Sequence, residues 1–375
     1  MPRSPRFAFR APVLALALIS LLTGCERPPV DPVQGGYRGT GMVQIYNPRT
    51  VESQAALNAE PPIARVARLR PGAPTAGEVY ENIQVLGDLS IAEFGRTMTA
   101  ITAWVAPEGG CLYCHEEGNL AADSRYTKKV ARRMLQMVQH MNATWTDHVG
   151  NVGVTCYTCH RGHPVPQNVW FVSAEPPFGP GMLGGRRGQN APGTLVGKTA
   201  MPGDPFSDYL LGDANIRVQG TSALRRSDQP VDPTRPVSTE RTYAFMVHVS
   251  QALGVNCGFC HNTRNFQSWE ESSPQRRTAW YGIRLARDLN RQFLTADPLL
   301  HIFPANRRGP TGDIAKVNCA TCHQGAYKPL YGSHLASYYP AVWPAALRPA
   351  VPPGPPPEPV KYPAVRPERG ETATR

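Results

Sequence analysis

The sequence predicts a mainly α-helical chain with much irregular coil, arranged as two similar halves, and three observations carry that prediction. A five-residue pattern occurs four times, as Cys111-Leu112-Tyr113-Cys114-His115, Cys156-Tyr157-Thr158-Cys159-His160, Cys257-Gly258-Phe259-Cys260-His261 and Cys319-Ala320-Thr321-Cys322-His323. Apolar residues recur at helical spacing ahead of the copies. The 39 prolines and 34 glycines in 375 residues favour short helices joined by irregular connections.

Each copy is a C-x-x-C-H haem attachment signature, in which two thiols form thioethers to the porphyrin and the adjacent imidazole reaches the iron. Together they take up eight of the nine cysteines. Structural zinc would close its site with paired C-x-x-C units or a Cys/His quartet, and does not need His after every second Cys. Disulfides suit an exported chain but explain neither the four histidines nor the repetition. The cofactors expected are therefore four covalently bound haem c groups.

The chain opens with Arg3, Arg6 and Arg10, then an apolar run at 11–22 too short to span a bilayer comfortably. It reads as an export leader. The leader ends in Leu22-Thr23-Gly24-Cys25, the pattern of a lipoprotein cleavage site. Cys25 is the predicted lipidation residue, and several acyl chains there would make a stable anchor. Without the three leader arginines the formal charge of +11 falls to +8. Eight haem propionates would offset much of that, so the basic balance does not point to nucleic acid.

Residues 25–79, rich in Pro and Gly, read as an extended segment, the spacer a tethered domain needs. At 80–89 a short strand or loop leads to Ser90, an N-cap with Glu93 three residues on, the signature of a capping box. The helix that follows presents Phe94, Met98, Ile101 and Val105 on one face, and Pro107 with Gly109-Gly110 stops it before Cys111. Met98 is the natural second ligand for the first haem, because a neutral, soft thioether favours ferrous iron and raises the potential. A methionine on an apolar face is more often core filler. Met246 argues otherwise: it lies in a helix at 241–253, 11 residues before Cys257, where Met98 stands 13 before Cys111.

The second motif follows a helix at 124–145 with Val130, Met134, Met137 and Met141 along one face. Three thioethers compete there, and the helix and its exit also hold His140 and His148. Spacing narrows the ligand to this set and goes no further. The fourth motif follows a helix at 275–294 with no methionine, where Ile283 or Leu285 falls near the position of Met134. Its haem takes a ligand from elsewhere, uses His301, or stays open, and His148 is a spare imidazole of the right kind.

Each half thus repeats a helix and motif followed by a longer helix and motif. The organisation expected is a leader at 1–24, the extended segment at 25–79, a first dihaem unit at 80–170, a Gly/Pro-rich connection at 171–236 with one short helical piece, a second dihaem unit at 237–330 and a C-terminal segment at 331–375. In and around that last segment Tyr327, Tyr331, Tyr338, Tyr339 and Trp343 are expected to pack. The polyproline stretch after Arg348 and the polar end are expected to be disordered.

These motifs carry a family resemblance. Val85-Leu86-Gly87-Asp88-Leu89 through Phe94, then Arg96-Thr97-Met98-Thr99-Ala100-Ile101-Thr102 and the first motif, are especially similar to the tetrahaem cytochrome c subunit of the purple bacterial photosynthetic reaction centre. So are Ala131-Arg132-Arg133-Met134-Leu135 through Trp145 and His148, and Gly153-Val154-Thr155 with the second motif and Arg161-Gly162. The resemblance covers nearly the whole mature chain. It implies the axial pairs Met98 with His115, Met134 with His160, Met246 with His261, and His148 with His323. It also implies a row of four haems that carries electrons from a soluble periplasmic donor, a cytochrome c2 or c8 or a high-potential iron–sulfur protein, to the photo-oxidised special pair. On that pattern electrons enter near the first haem and leave through the third, next to the reaction-centre L and M subunits on the periplasmic face of the inner membrane. Arg276 and Arg277 become candidates to pair with a propionate. A reductase or oxidase would need an iron without a distal ligand, and the ligands here cover all four, so no enzyme activity is expected. The anchor favours a docked subunit over a free shuttle.

Overall fold

The computed structural model describes residues 31–34, 42–64, 72–172, 204–214, 216, 235–296, 298–350 and 352. The leader, Cys25 and the polyproline tail lie outside the described residues. What is described is helical with much coil, and among those residues no helix is long and apolar enough to cross a membrane.

The N-terminal segment is more structured than its composition suggests. Strands β1 (Asp31–Gln34) and β2 (Val43–Tyr46) pair antiparallel, Asp31 opposite Tyr46. Helix α1 (Pro48–Ala55) follows, started by Asn47, whose side chain accepts from Arg49 N at 3.1 Å, and by Pro48 in the first turn. No residue of α1 is buried, and the arm docks largely through polar contacts, with only Ile63 among its described residues reaching the main core, which is why periodicity missed it. Asn256 donates from its side chain to Val43 O (2.8 Å) and from its backbone N–H to Gln44 Oε1 (2.9 Å). Asn58 donates to Gln324 O (3.2 Å) and accepts from Leu330 N (3.2 Å).

Helix α2 (Ala76–Val79) is a single turn held by a Thr75–Glu78 capping box, and α3 (Ile91–Val105) starts at Ser90, whose hydroxyl accepts from Glu93 N at 3.3 Å. Only half of the capping box predicted at Ser90 forms. The Glu93 carboxylate turns away to Arg96, because that guanidinium is buried beside it and needs a counter-charge. Helix α4 (Tyr126–Thr144) runs into the short α5 (Thr146–Val149), and α6 (Cys156–His160) is the second motif itself. In the second half come α7 (Arg235–Leu253), α8 (Pro274–Leu289) continued by a π turn at Asn290–Leu294, α9 (Leu299–Ile302) and α10 (Cys319–His323), the fourth motif. Helix α7 begins six residues earlier than the 241–253 expected.

The main core is shared by both halves and the C-terminal segment: Trp104, Met137, Val138 and Met141 meet Leu285, Leu289 and Phe293, with Tyr338, Tyr339 and Trp343 closing over them. Trp104 meets Tyr339 edge-on at 4.6 Å between ring centres. The packing expected of the last three aromatics is therefore what they do. A second cluster takes Phe206, Tyr209 and Leu210 from the connection and sets them against Trp170, Phe245 and Ile283.

Candidate haem sites

The first and third motifs are 3-10 turns, Cys111–Tyr113 and Cys257–Phe259. The second and fourth are single helical turns that end in left-handed residues, Arg161 (φ 48°) and Gln324 (φ 46°). In all four, the histidine Nδ1 lies against a backbone carbonyl: His115 on Leu120 O (2.8 Å), His160 on His163 O (2.8 Å), His261 on Phe266 O (3.3 Å) and His323 on Ala326 O (2.9 Å). A carbonyl only accepts, so each Nδ1 carries the proton and each Nε2 keeps its lone pair for a metal. Burial favours the neutral form that can ligate, pushing His160 and His261 down and His323 down to about 4, where the neighbouring His148 adds to the effect.

The second and fourth motifs are fixed by matching bonds. Gly162 N donates to Trp104 O and Gly325 N to Ala252 O, both at 2.8 Å, tying α6 to α3 and α10 to α7. Asn142 brackets Val154, donating to its carbonyl (3.0 Å) and accepting from its N–H (2.7 Å), and Asn290 does the same to Val317 (2.9 Å each). Counted from these two asparagines, Gly282 stands at the same offset as Met134, one residue before the Ile283 that spacing put near it. Both asparagines are buried polar residues inside helices, a signal sequence reading could have used.

A cavity of about 840 Å³, in the size range of cofactor sites, lies between the first half and residues 294–317 of the second. Its walls bring together Met98, His115, Met134 and His160 with Cys111, Cys114, Cys156 and Cys159. Met137 and Met141 also touch it but are buried in the core cluster, whereas Met134 is only partly buried. His140 has both ring nitrogens engaged, Nε2 on Asp288 Oδ2 (2.7 Å) and Nδ1 on Thr144 Oγ1 (3.0 Å), which removes it from the ligand set. His301 is exposed on α9. Met246 is packed, partly buried, against the aromatic cluster of Trp170, Phe206 and Phe245.

At the fourth motif, His148 crosses from the first half. Its Nδ1 lies 2.9 Å from Thr278 O, the same arrangement as in the motif histidines, and its ring centre is 6.0 Å from that of His323. Two metal–imidazole bonds of about 2 Å, plus the offset from each ring centre to its nitrogen, come to roughly that distance. The pair fits an iron between them.

The thiols suit thioethers. Burial pushes Cys260 up to about 11 and Cys156 and Cys319 up to about 12, so these sulfurs resist becoming thiolates, and a thioether carries no charge. No group of three or more His, Cys, Asp or Glu able to hold a metal ion occurs among the described residues. Cys159 and Cys322 are joined as a disulfide, with Cα atoms 4.4 Å apart. One sulfur cannot serve both bonds, so attachment at the second and fourth motifs requires these two as free thiols.

Sequence reading passed over Lys128. Its ammonium donates to the carbonyls of Leu120 (2.9 Å), Ala121 (2.7 Å) and Ala122 (2.9 Å), and so holds the loop on which His115 leans. Arg276 has the similar task at the third motif, donating to Ser268 O (2.6 Å) and Ser272 Oγ (2.7 Å) and lying 4.1 Å over Trp269. Arg277 lies over Tyr281. Leu120 O keeps His115 Nδ1 and Ala121 O keeps Asn82 Nδ2, so Lys128→Met should cost about 1–3 kcal/mol by stranding the Ala122 carbonyl. Hydrogen exchange should quicken in residues 115–122, and unchanged protection there would exclude the role.

Compared with known proteins, the chain matches the family described as "Photosynthetic reaction centre cytochrome C subunit" over residues 26–343. It is 53% identical over 327 residues to the photosynthetic reaction center cytochrome c subunit of Rubrivivax gelatinosus, covering 87% of each chain. It is 43% identical over 337 residues to the protein of that name from Thermochromatium tepidum, covering 90% of this chain and 81% of the other. It is 27% identical over 269 residues to cytochrome c-554 of Chloroflexus aurantiacus, covering 65% of this chain and 58% of the other.

Proposed function

This chain belongs to the family of photosynthetic reaction-centre cytochrome c subunits, and from that membership we propose that it relays electrons through four covalent haems to the photo-oxidised special pair. Its role is electron transfer in photosynthesis, with covalent haem c, in association with the reaction centre and the photosynthetic membrane. The finer reading is a lipid anchor at Cys25, two repeated dihaem units on the periplasmic side, docking on the L and M subunits, and a soluble cytochrome c or high-potential iron–sulfur protein as donor. The axial pairs proposed are Met98/His115, Met134/His160, Met246/His261 and His148/His323.

The observation that carries it is the shared state of five imidazoles. His115, His160, His261, His323 and His148 each hold Nδ1 against a backbone carbonyl, which leaves Nε2 as the ligating atom. Support for the repeat comes from the matched bonds of Asn142 with Asn290 and of Gly162 with Gly325. The Met246 pair rests on its equivalence to Met98.

When bound, haem iron supplies reversible one-electron chemistry. The chain's part is to hold both axial ligands through either oxidation state. Thioethers from Met98, Met134 and Met246 favour the ferrous form, and the second imidazole at His323 makes that position the lower in potential. Arg307 and Arg308 line the cavity and can meet propionate charge there, whereas the Lys316 ammonium is already held by Asp313 and Ile314 O.

Flash spectroscopy on membranes tests the reading: haem oxidation should follow photobleaching of the primary donor, and its absence would sink the proposal. His148→Met should raise one haem midpoint selectively. Four unchanged midpoints would strike His148 from the ligands.

A further inference from the structure

After proline, glycine is the residue a helix interior tolerates least, yet Gly282 sits in the middle of α8. Its backbone is outside the left-handed region, so conformational freedom does not account for it. Close approach does. A Cβ at position 282 would stand 2.4 Å from His148 Cε1, 2.9 Å from Nδ1 and 3.0 Å from Nε2, closer than real Cβ contacts come. The Cε1 corner of the imidazole lies where a side chain would start, held there by Thr278 O one turn earlier.

The repeat gives this glycine a second meaning. Asn142 and Asn290 make the same pair of bonds to Val154 and Val317. Met134 lies eight residues before the first asparagine and Gly282 eight before the second. Position 282 is therefore where the first half carries its thioether. In the second half that side chain is missing, and an imidazole from the other half lies in the space.

We propose that Gly282 is the positioning residue that selects the ligand at the fourth motif: its lack of a side chain admits His148, and a methionine in its place would supersede the imidazole. The inference rests on the tetrahaem reading above and extends it to a residue that touches no iron. Gly282 acts only by leaving room.

The test uses the full-length, haem-loaded subunit. Gly282→Ala should push the imidazole aside, so that the bis-imidazole electron paramagnetic resonance signal is lost and one haem binds carbon monoxide. In a His148→Ala background the clash is gone, and Gly282→Met should fold. It should raise the near-infrared thioether-to-ferric charge-transfer absorbance by about one third, from three such haems to four, and move one midpoint upward. The effect of Gly282→Ala on thermal unfolding should also change sign, destabilising beside His148 and stabilising without it. A Gly282→Ala protein that keeps the bis-imidazole signal and all four midpoints overturns the proposal, as does a double variant whose near-infrared band does not grow. Wild-type protein that lacks the bis-imidazole signal overturns the reading on which the inference rests, whatever the variants do.

Discussion

Glu93→Ala should lower the unfolding free energy by about 3–5 kcal/mol, the cost of leaving a buried partner charge uncompensated. Glu93 and Arg96 have side chains 6% and 5% exposed and form a two-pronged pair, Nε to Oε2 at 3.0 Å and Nη2 to Oε1 at 2.7 Å. The guanidinium joins three parts of the chain. It sits in α3, the helix of Met98, donates to Tyr338 O of the C-terminal segment and to Ala64 O of the N-terminal arm (3.3 Å), and lies 4.1 Å over the ring of Tyr339. Without the carboxylate the charge stays buried on neutral acceptors alone. Replacing both residues by apolar ones of similar volume should recover most of the loss, since neither charge is then desolvated. Urea unfolding followed by far-UV circular dichroism measures both. A Glu93→Ala midpoint equal to wild type would show that the pair is solvated in solution.

Asn290→Leu has the next largest expected effect. Asn290 is fully buried and joins the connection to the fourth motif, donating to Leu210 O (3.2 Å) and Val317 O (2.9 Å) and accepting from Val317 N (2.9 Å). Leucine keeps the volume and removes the bonds. The Val317 carbonyl keeps a donor in Trp170 Nε1 (2.9 Å), so the groups stranded are the Val317 N–H and the Leu210 carbonyl. At about 1–2 kcal/mol for each, the lower part of the range for a buried group left unpaired, the loss is roughly 2–4 kcal/mol. Val317 stands two residues before Cys319, so the motif should also shift, and the midpoint of the haem on His323 should move more than the other three. A loss below about 0.5 kcal/mol would mean that water replaces the side chain.

Much of the site is legible along the chain because its signals are local. The four motifs declare their chemistry within five residues each, and the methionines of α3 and α7 stand at similar distances, 13 and 11 residues, before their cysteines. Helix α4 is another such case: its apolar face put Met134, Met137 and Met141 forward as candidates, and burial separates them only once the core is assembled. The arm at 42–64 was not legible, since it binds through Gln44, Asn58, backbone groups and the isolated Ile63, which leave no periodic trace.

The sequence by itself determined the attachment motifs, the helices before them and the methionine on each of two, because these follow from residue type and short spacing. Only the tertiary structure decided that His148 faces His323, that His140 is held by Asp288, and that Gly282 leaves the opening through which an imidazole passes. Those contacts join residues more than a hundred positions apart. Such pairings depend on how α4, α5 and α8 cross, and close packing, not local periodicity, sets that crossing.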